Sequence, residues 1–189
     1  MSPLCSEDRR ELLAIARRAI VDASRGKPSA ASASHSRAGL DSPEENTGGA
    51  FVTLHRRGEL RGCVGQIEGA GALAEIIERC AVAAALEDPR FSPVTPSEVA
   101  ELEIEISLLS PLEPVVPAQI EVGRHGLVVQ QGSRRGLLLP QVPVDRGWQW
   151  PRFVEETCAK AGLPRDAWKD PATRTFAFTT EVFTEAGCA

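Results

Sequence analysis

No stretch of this chain approaches the roughly 20 consecutive apolar residues that cross a bilayer, so a transmembrane helix is excluded. The N-terminus also lacks the basic start and apolar core of a signal peptide, and the expected compartment is the cytoplasm. A basic excess is missing as well: net charge is −5 and the isoelectric point is near 5.3, which argues against nucleic acid and anionic membrane as partners. Local clusters, Arg56-Arg57-Arg61 and Arg134-Arg135, still leave room for a small anion. The five cysteines include no CxxC pair, and three histidines are spread along the chain with no short-spaced Cys/His set; neither a disulfide framework nor a metal site is expected. Phosphate-loop and dinucleotide fingerprints are absent, as is a Gly-x-Ser-x-Gly nucleophile motif, and no cofactor is implied. Tyrosine is missing altogether, an absence from which no function follows.

What is present is ordinary for a soluble domain: 189 residues, 42% hydrophobic and 25% charged. Such a chain buries roughly 70% of its unfolded surface and needs no covalent staple. Residues 6–24 read as an amphipathic helix with Ser6 as N-cap and a stripe of Leu12, Leu13, Ile15, Ala16, Ala19 and Ile20. Residues 25–49 are rich in Ser, Ala, Gly and Pro and read as a flexible surface connection, with Leu40 as its best anchor and His35 solvated. Residues 50–57 and 60–67 pair as a hairpin about Arg57-Gly58-Glu59. A helix follows over 71–87, ending at Asp88-Pro89 because a proline disfavours helix for the residue before it. Thr95-Pro96-Ser97-Glu98 is a capping-box pattern that opens a short helix. Residues 102–108 alternate apolar and polar in strict period two, a half-buried strand with Glu103 and Glu105 on its solvated face. Residues 111–117 are edge-like, and 127–131 with 136–139 form a second hairpin. Residues 148–161 form a helix with Pro151 near its start, and 174–184 form one final strand. Hairpins separated by helices imply an α+β fold with mainly antiparallel sheets, a single domain over 1–189 with room for a smaller subdomain.

The stretch with chemical content is Arg61-Gly62-Cys63-Val64-Gly65. Glycine on both sides of a thiol removes side-chain cover and allows a bulge or a close backbone approach. An unperturbed thiol is only about 3% thiolate at neutral pH, so a nucleophile needs a cationic neighbour. If the strand is regular, Arg61 lies on the same face as Cys63, and Arg90 and His125 can join it only through the fold. A Cys–His arrangement is the usual logic of an activated thiol. Each residue also has a plainer role. Arg90 pairs with Asp88 to pin its loop, His125 serves a turn, Cys80 and Cys158 pack, and Gly62 and Gly65 set a bulge.

Taken together, the motifs resemble the AMMECR family, whose microbial members are called AmmeMemoRadiSam system protein A. The resemblance runs through Phe51-Val52-Thr53-Leu54, Leu60 to Gly65, Asp88-Pro89-Arg90-Phe91, Leu102 to Ser110, Gly123-Arg124-His125-Gly126-Leu127, Gly136 to Val142, Gly147-Trp148 and Cys158 to Leu163. The departures are Val64, where isoleucine is frequent, and the long Ser/Ala-rich connection. The resemblance implies two α+β subdomains forming a cleft, with the Arg-Gly-Cys loop as the suspected site. It also implies association with a Memo-like protein and a radical S-adenosylmethionine protein, and it supplies no reaction. Three readings of Cys63 therefore stand side by side. The first is a thiolate nucleophile or carrier, with His125 as acid/base and Arg61, Gly62, Gly65 and Arg90 binding an anionic substrate. The second is a non-catalytic surface that docks a partner. The third is a structural residue at a bulge.

Overall fold

The structure, a computed structural model, describes residues 4–27, 48–68 and 71–188. The expected connection over 25–49 lies for the most part outside these residues, with His35 and Leu40, while Gly48 and Gly49 already belong to the first strand. The chain divides into two compact units. One comprises Met1–Leu109 with Glu181–Ala189, and the other is Ser110–Thr180. The α+β class expected from alternating hairpins and helices is what forms: two four-stranded antiparallel sheets, each with its own helices.

The first unit holds α1 (Ser6–Ser24), α2 (Leu73–Leu86) and the strands β1 (Gly48–Arg56), β2 (Glu59–Glu68), β3 (Leu102–Leu109) and β8 (Thr180–Thr184), in the order β2-β1-β3-β8. The stripe read in α1 is the set it buries, down to each residue. Its N-cap is Cys5 rather than Ser6: the Cys5 sulfur accepts from the Asp8 N–H, a job normally done by an oxygen. Period two decides what each strand shows to the helices. Ala50, Val52 and Leu54 of β1 and Leu102, Ile104, Ile106 and Leu108 of β3 join the helices in one core. Phe51, Thr53 and His55 then fall on the opposite face, and the β1–β2 register sets Cys63 beside Thr53 and Gly65 beside Phe51. The solvated face expected for β3 holds at Glu103, whereas Ser107 is buried, so the strand is covered on both sides near its end.

The second unit holds β4 (Glu113–Pro114), β5 (Gly126–Gln131), β6 (Arg134–Leu138), β7 (Arg174–Phe178), α3 (Gln141–Asp145) and α4 (Trp150–Lys160), with sheet order β4-β7-β5-β6. Phe153, Val154 and Cys158 of α4 pack on Leu127, Val129 and Ala177. The single strand expected over 174–184 is two, in different sheets. The break falls at Thr179, whose carbonyl accepts from the Ser110 N–H at 2.9 Å and whose N–H donates to Ser110 Oγ at 3.0 Å. Alternation runs through Phe176 and Phe178 with no local signal of the change of sheet. The short α3 carries no expectation from the sequence; Pro143 sits within its first turns, where a missing N–H costs little.

Candidate functional site

Gly62 sets the geometry around Cys63. A Cβ built on Gly62 would lie 2.1 Å from the Ala84 carbonyl oxygen, so only glycine lets the C-terminal part of α2 press its backbone onto β2. The register also slips between Leu54 and His55, leaving Arg61 as an extra residue in β2. The two alternatives read from the glycines, a bulge and a close approach, thus occur side by side.

Helix α2 ends at Leu86, and the chain turns at Asp88 ahead of Pro89. Because α2 is seated on Gly62, that turn arrives beside the outer edge of β2, where Asp88 Oδ2 accepts from the Cys63 N–H at 2.9 Å. The same carboxylate accepts from the Arg90 N–H at 3.1 Å and from the Arg90 guanidinium at 2.9 and 2.6 Å, while the guanidinium reaches the Cys63 carbonyl at 3.4 Å. Both outward-facing backbone groups of Cys63 are therefore held by one acid and one base. Asp88 is buried, its side chain 3% exposed against 55% for Arg90. The Arg90 guanidinium first, and then the Cys63 and Arg90 N–H groups, hold the Asp88 carboxyl well below the usual carboxylate range. The plainer reading of Arg90, a partner for Asp88, is thus present, and Arg90 also lies over the Phe91 ring at 5.4 Å.

The Cys63 sulfur lies on the sheet face away from the helices, half-buried, and the Thr53 hydroxyl donates to it at 3.3 Å. Cys80 and Cys158 differ: both are buried, and burial pushes both thiols up, which keeps them neutral. Neither Thr53 nor the Asp88 contact with Cys63 was read from the sequence. Thr53 has a signal in the hairpin register, which places it opposite Cys63, but Asp88 lies 25 residues away and only the α2 packing brings it there.

Arg61 is engaged elsewhere. Its side chain is 13% exposed and its guanidinium donates to Glu98 at 3.2 and 3.4 Å. Glu98 also accepts from Arg56 at 3.0 Å and from the Thr95 N–H and hydroxyl at 2.8 and 2.9 Å, which is the reach-back half of the expected capping box. The Thr95 N–H, then Arg61, pull the Glu98 pKa down to about 2. The short helix expected after Thr95 is a single 3-10 turn, Val99–Glu101. His125 belongs to the second unit, where its ring Nδ1 accepts from the Glu121 N–H at 3.1 Å and its backbone N–H donates to the Glu121 carbonyl at 2.9 Å, the turn role weighed for it. The structure thus brings Cys63, Arg90, its expected partner Asp88 and the unforeseen Thr53 into one contact network, with Arg61 in a neighbouring one. Among the described residues, no group of three or more His, Cys, Asp or Glu is placed to hold a metal ion, and no helix is long and apolar enough to cross a membrane.

Comparison with known proteins gives consistent matches. The profile of the AMMECR1 family matches residues 13–183. A protein of Methanothermobacter thermautotrophicus is 40% identical over 195 residues, covering 98% of each chain. A protein of Thermococcus gammatolerans is 48% identical over 148 residues, 72% of each. Among solved structures, the crystal structure of the uncharacterized protein PH0010 from Pyrococcus horikoshii superposes with a TM-score of 0.82 at 39% identity, covering 92% of this chain and 89% of that one.

Proposed function

This chain belongs to the AMMECR1 family, and from that premise we propose that Cys63 is the nucleophile or group carrier of a cysteine-centred site. The observation that carries the reading is the contrast among thiols. Cys63 has its peptide groups clamped by Asp88 and Arg90 and its sulfur contacted by Thr53, on the sheet face opposite α1 and α2. A thiol positioned so costs little to orient toward a reacting group. Arg90, more than half exposed, is the better placed of the two arginines to meet an anionic substrate, while Arg61 is largely neutralised by Glu98. His125 as acid/base, and a pathway that includes a Memo-like protein and a radical S-adenosylmethionine protein, rest on the family resemblance. A cytoplasmic location is proposed on the free thiols of the described residues, which a reducing compartment maintains.

A second reading, an accessory module that docks such a partner without chemistry of its own, is favoured by one observation: both arginines near Cys63 are ion-paired, which weakens the case for anion binding. The two readings separate in a complementation experiment in a strain lacking its own family member. Cys63→Ser is expected to abolish complementation while melting within about 2 °C of wild type, since the change is a single atom at a half-buried position. Full complementation by Cys63→Ser, with loss on Arg90→Glu, assigns the docking role instead.

A further inference from the structure

The edge of the first sheet carries a second feature. Strand β2 ends the sheet order, so among the described residues no strand lies beyond it. At Cys63 the outward N–H and C=O are occupied by Asp88 and Arg90. Outward-facing peptide groups recur every two residues along an edge strand, so those of Gly65 face the same way, past the end of that clamp. Beside them lies a cavity of about 660 Å³, within the roughly 300–1,000 Å³ range of ligand-binding clefts. Its far wall is one helical stripe of α2, with Glu75, Glu78, Arg79 and Val82 spaced i, i+3, i+4 and i+7, and Glu87 closes one end. Val82, Cys80 and Val64 supply an apolar floor. Glu75, Glu78 and Glu87 outnumber the one cation of the lining, Arg79, which lies 3.8 Å from Glu75 on the same stripe, and Glu78 is buried.

We propose that this groove docks an extended, basic segment of a partner protein as an added strand on β2. Main-chain bonds to Gly65 hold such a segment, its Lys or Arg residues at every second position turn toward α2 and meet Glu75 and Glu87 at either end of the Val82 wall, and the residues between them lie over the opposite face of the sheet. An acidic wall beside an open strand edge favours a basic strand over an acidic one, and sets a salt dependence on the association. This proposal goes beyond the chemistry of Cys63 and does not need it.

The test is fluorescence anisotropy on the full chain with a labelled hexapeptide alternating Lys and Val, its counterpart alternating Glu and Val, and a Lys/Val peptide N-methylated at every second amide. The basic peptide is expected to bind saturably, with affinity falling as salt rises. The acidic and N-methylated peptides, and the basic peptide on Glu75→Lys/Glu87→Lys or on Val82→Arg, are each expected to bind at least about tenfold more weakly. Binding to Cys63→Ser is expected to equal wild type, so this test and that of the thiol fail separately. Both double and single variants carry surface or rim changes, and unchanged melting verifies their fold. Equal binding of the acidic peptide, indifference to N-methylation or to both variants, or no saturable binding of the basic peptide at millimolar concentration overturns the proposal.

Discussion

Replacing Asp88 with alanine is expected to lower the free energy of unfolding by about 3 kcal/mol, read as a lower urea midpoint at unchanged slope. The carboxylate accepts from the Cys63 N–H, the Arg90 N–H and the Arg90 guanidinium, and alanine leaves the first without a partner at a half-buried position. The figure stays well below the sum of these bonds because Arg90 is more than half exposed and water recovers much of its loss. Asp88→Asn keeps the shape and one accepting oxygen, while its NH2 faces donors where the second oxygen stood, and it is expected to cost somewhat less than alanine. The acid response carries the same logic with a definite sign. Asp88 titrates lower in the folded chain than its unfolded value of about 3.9, so its stabilising contribution is fully present above that value and is lost as pH falls through the folded one. Glu98, lowered from 4.5 to about 2, acts in the same direction and in an overlapping window. The wild-type chain is thus expected to lose stability below about pH 4, and Asp88→Asn to show a shallower loss over that range. Equal slopes in the two proteins would contradict the assignment.

Gly62→Ala is expected to have the other large effect, a loss of about 3 kcal/mol or more. The added methyl would meet the Ala84 carbonyl at 2.1 Å, and that neighbour is helix backbone, which has no rotamer to yield. Helix α2 must then lift from β2, and the loop that delivers Asp88 to Cys63 lifts with it. A comparison with Gly58→Ala separates this from any generic glycine effect. Gly58 sits at φ +79° in the β1–β2 turn, where a Cβ meets nothing within 4 Å, so only backbone strain of about 1–2 kcal/mol is expected. Denaturant titration of the two variants should rank Gly62→Ala well below Gly58→Ala. The reverse order would show that α2 is not seated through Gly62.

What could be read in the chain before its fold was known follows the range of each interaction. The α1 stripe and the β1–β2 hairpin are local patterns of 3.6 and 2 residues, and both form as read, which is enough to put Cys63 on a strand with Thr53 opposite. The cap of α1 was misread because a cysteine took a place that oxygen side chains usually hold. The final strand was misread because nothing in its alternation marks the change of sheet at Thr179. The candidate site was legible only as a place. That Arg61 points away into Glu98, 37 residues on, and that Asp88 grips the Cys63 backbone depend on how α2 lies across Gly62, a contact between distant segments with no periodic signature.

The central claim, that Cys63 is a thiol presented for chemistry and the other described inner thiols are not, is tested most directly by alkylating the folded protein with iodoacetamide and mapping the modified peptides by mass spectrometry over time. The account predicts that Cys63 is carbamidomethylated in the folded chain, as exposed Cys5 is, while Cys80 and Cys158 stay unmodified until denaturant is added. A Cys63 as protected as Cys80, modified only on unfolding, would make it a structural residue of the bulge and contradict the account.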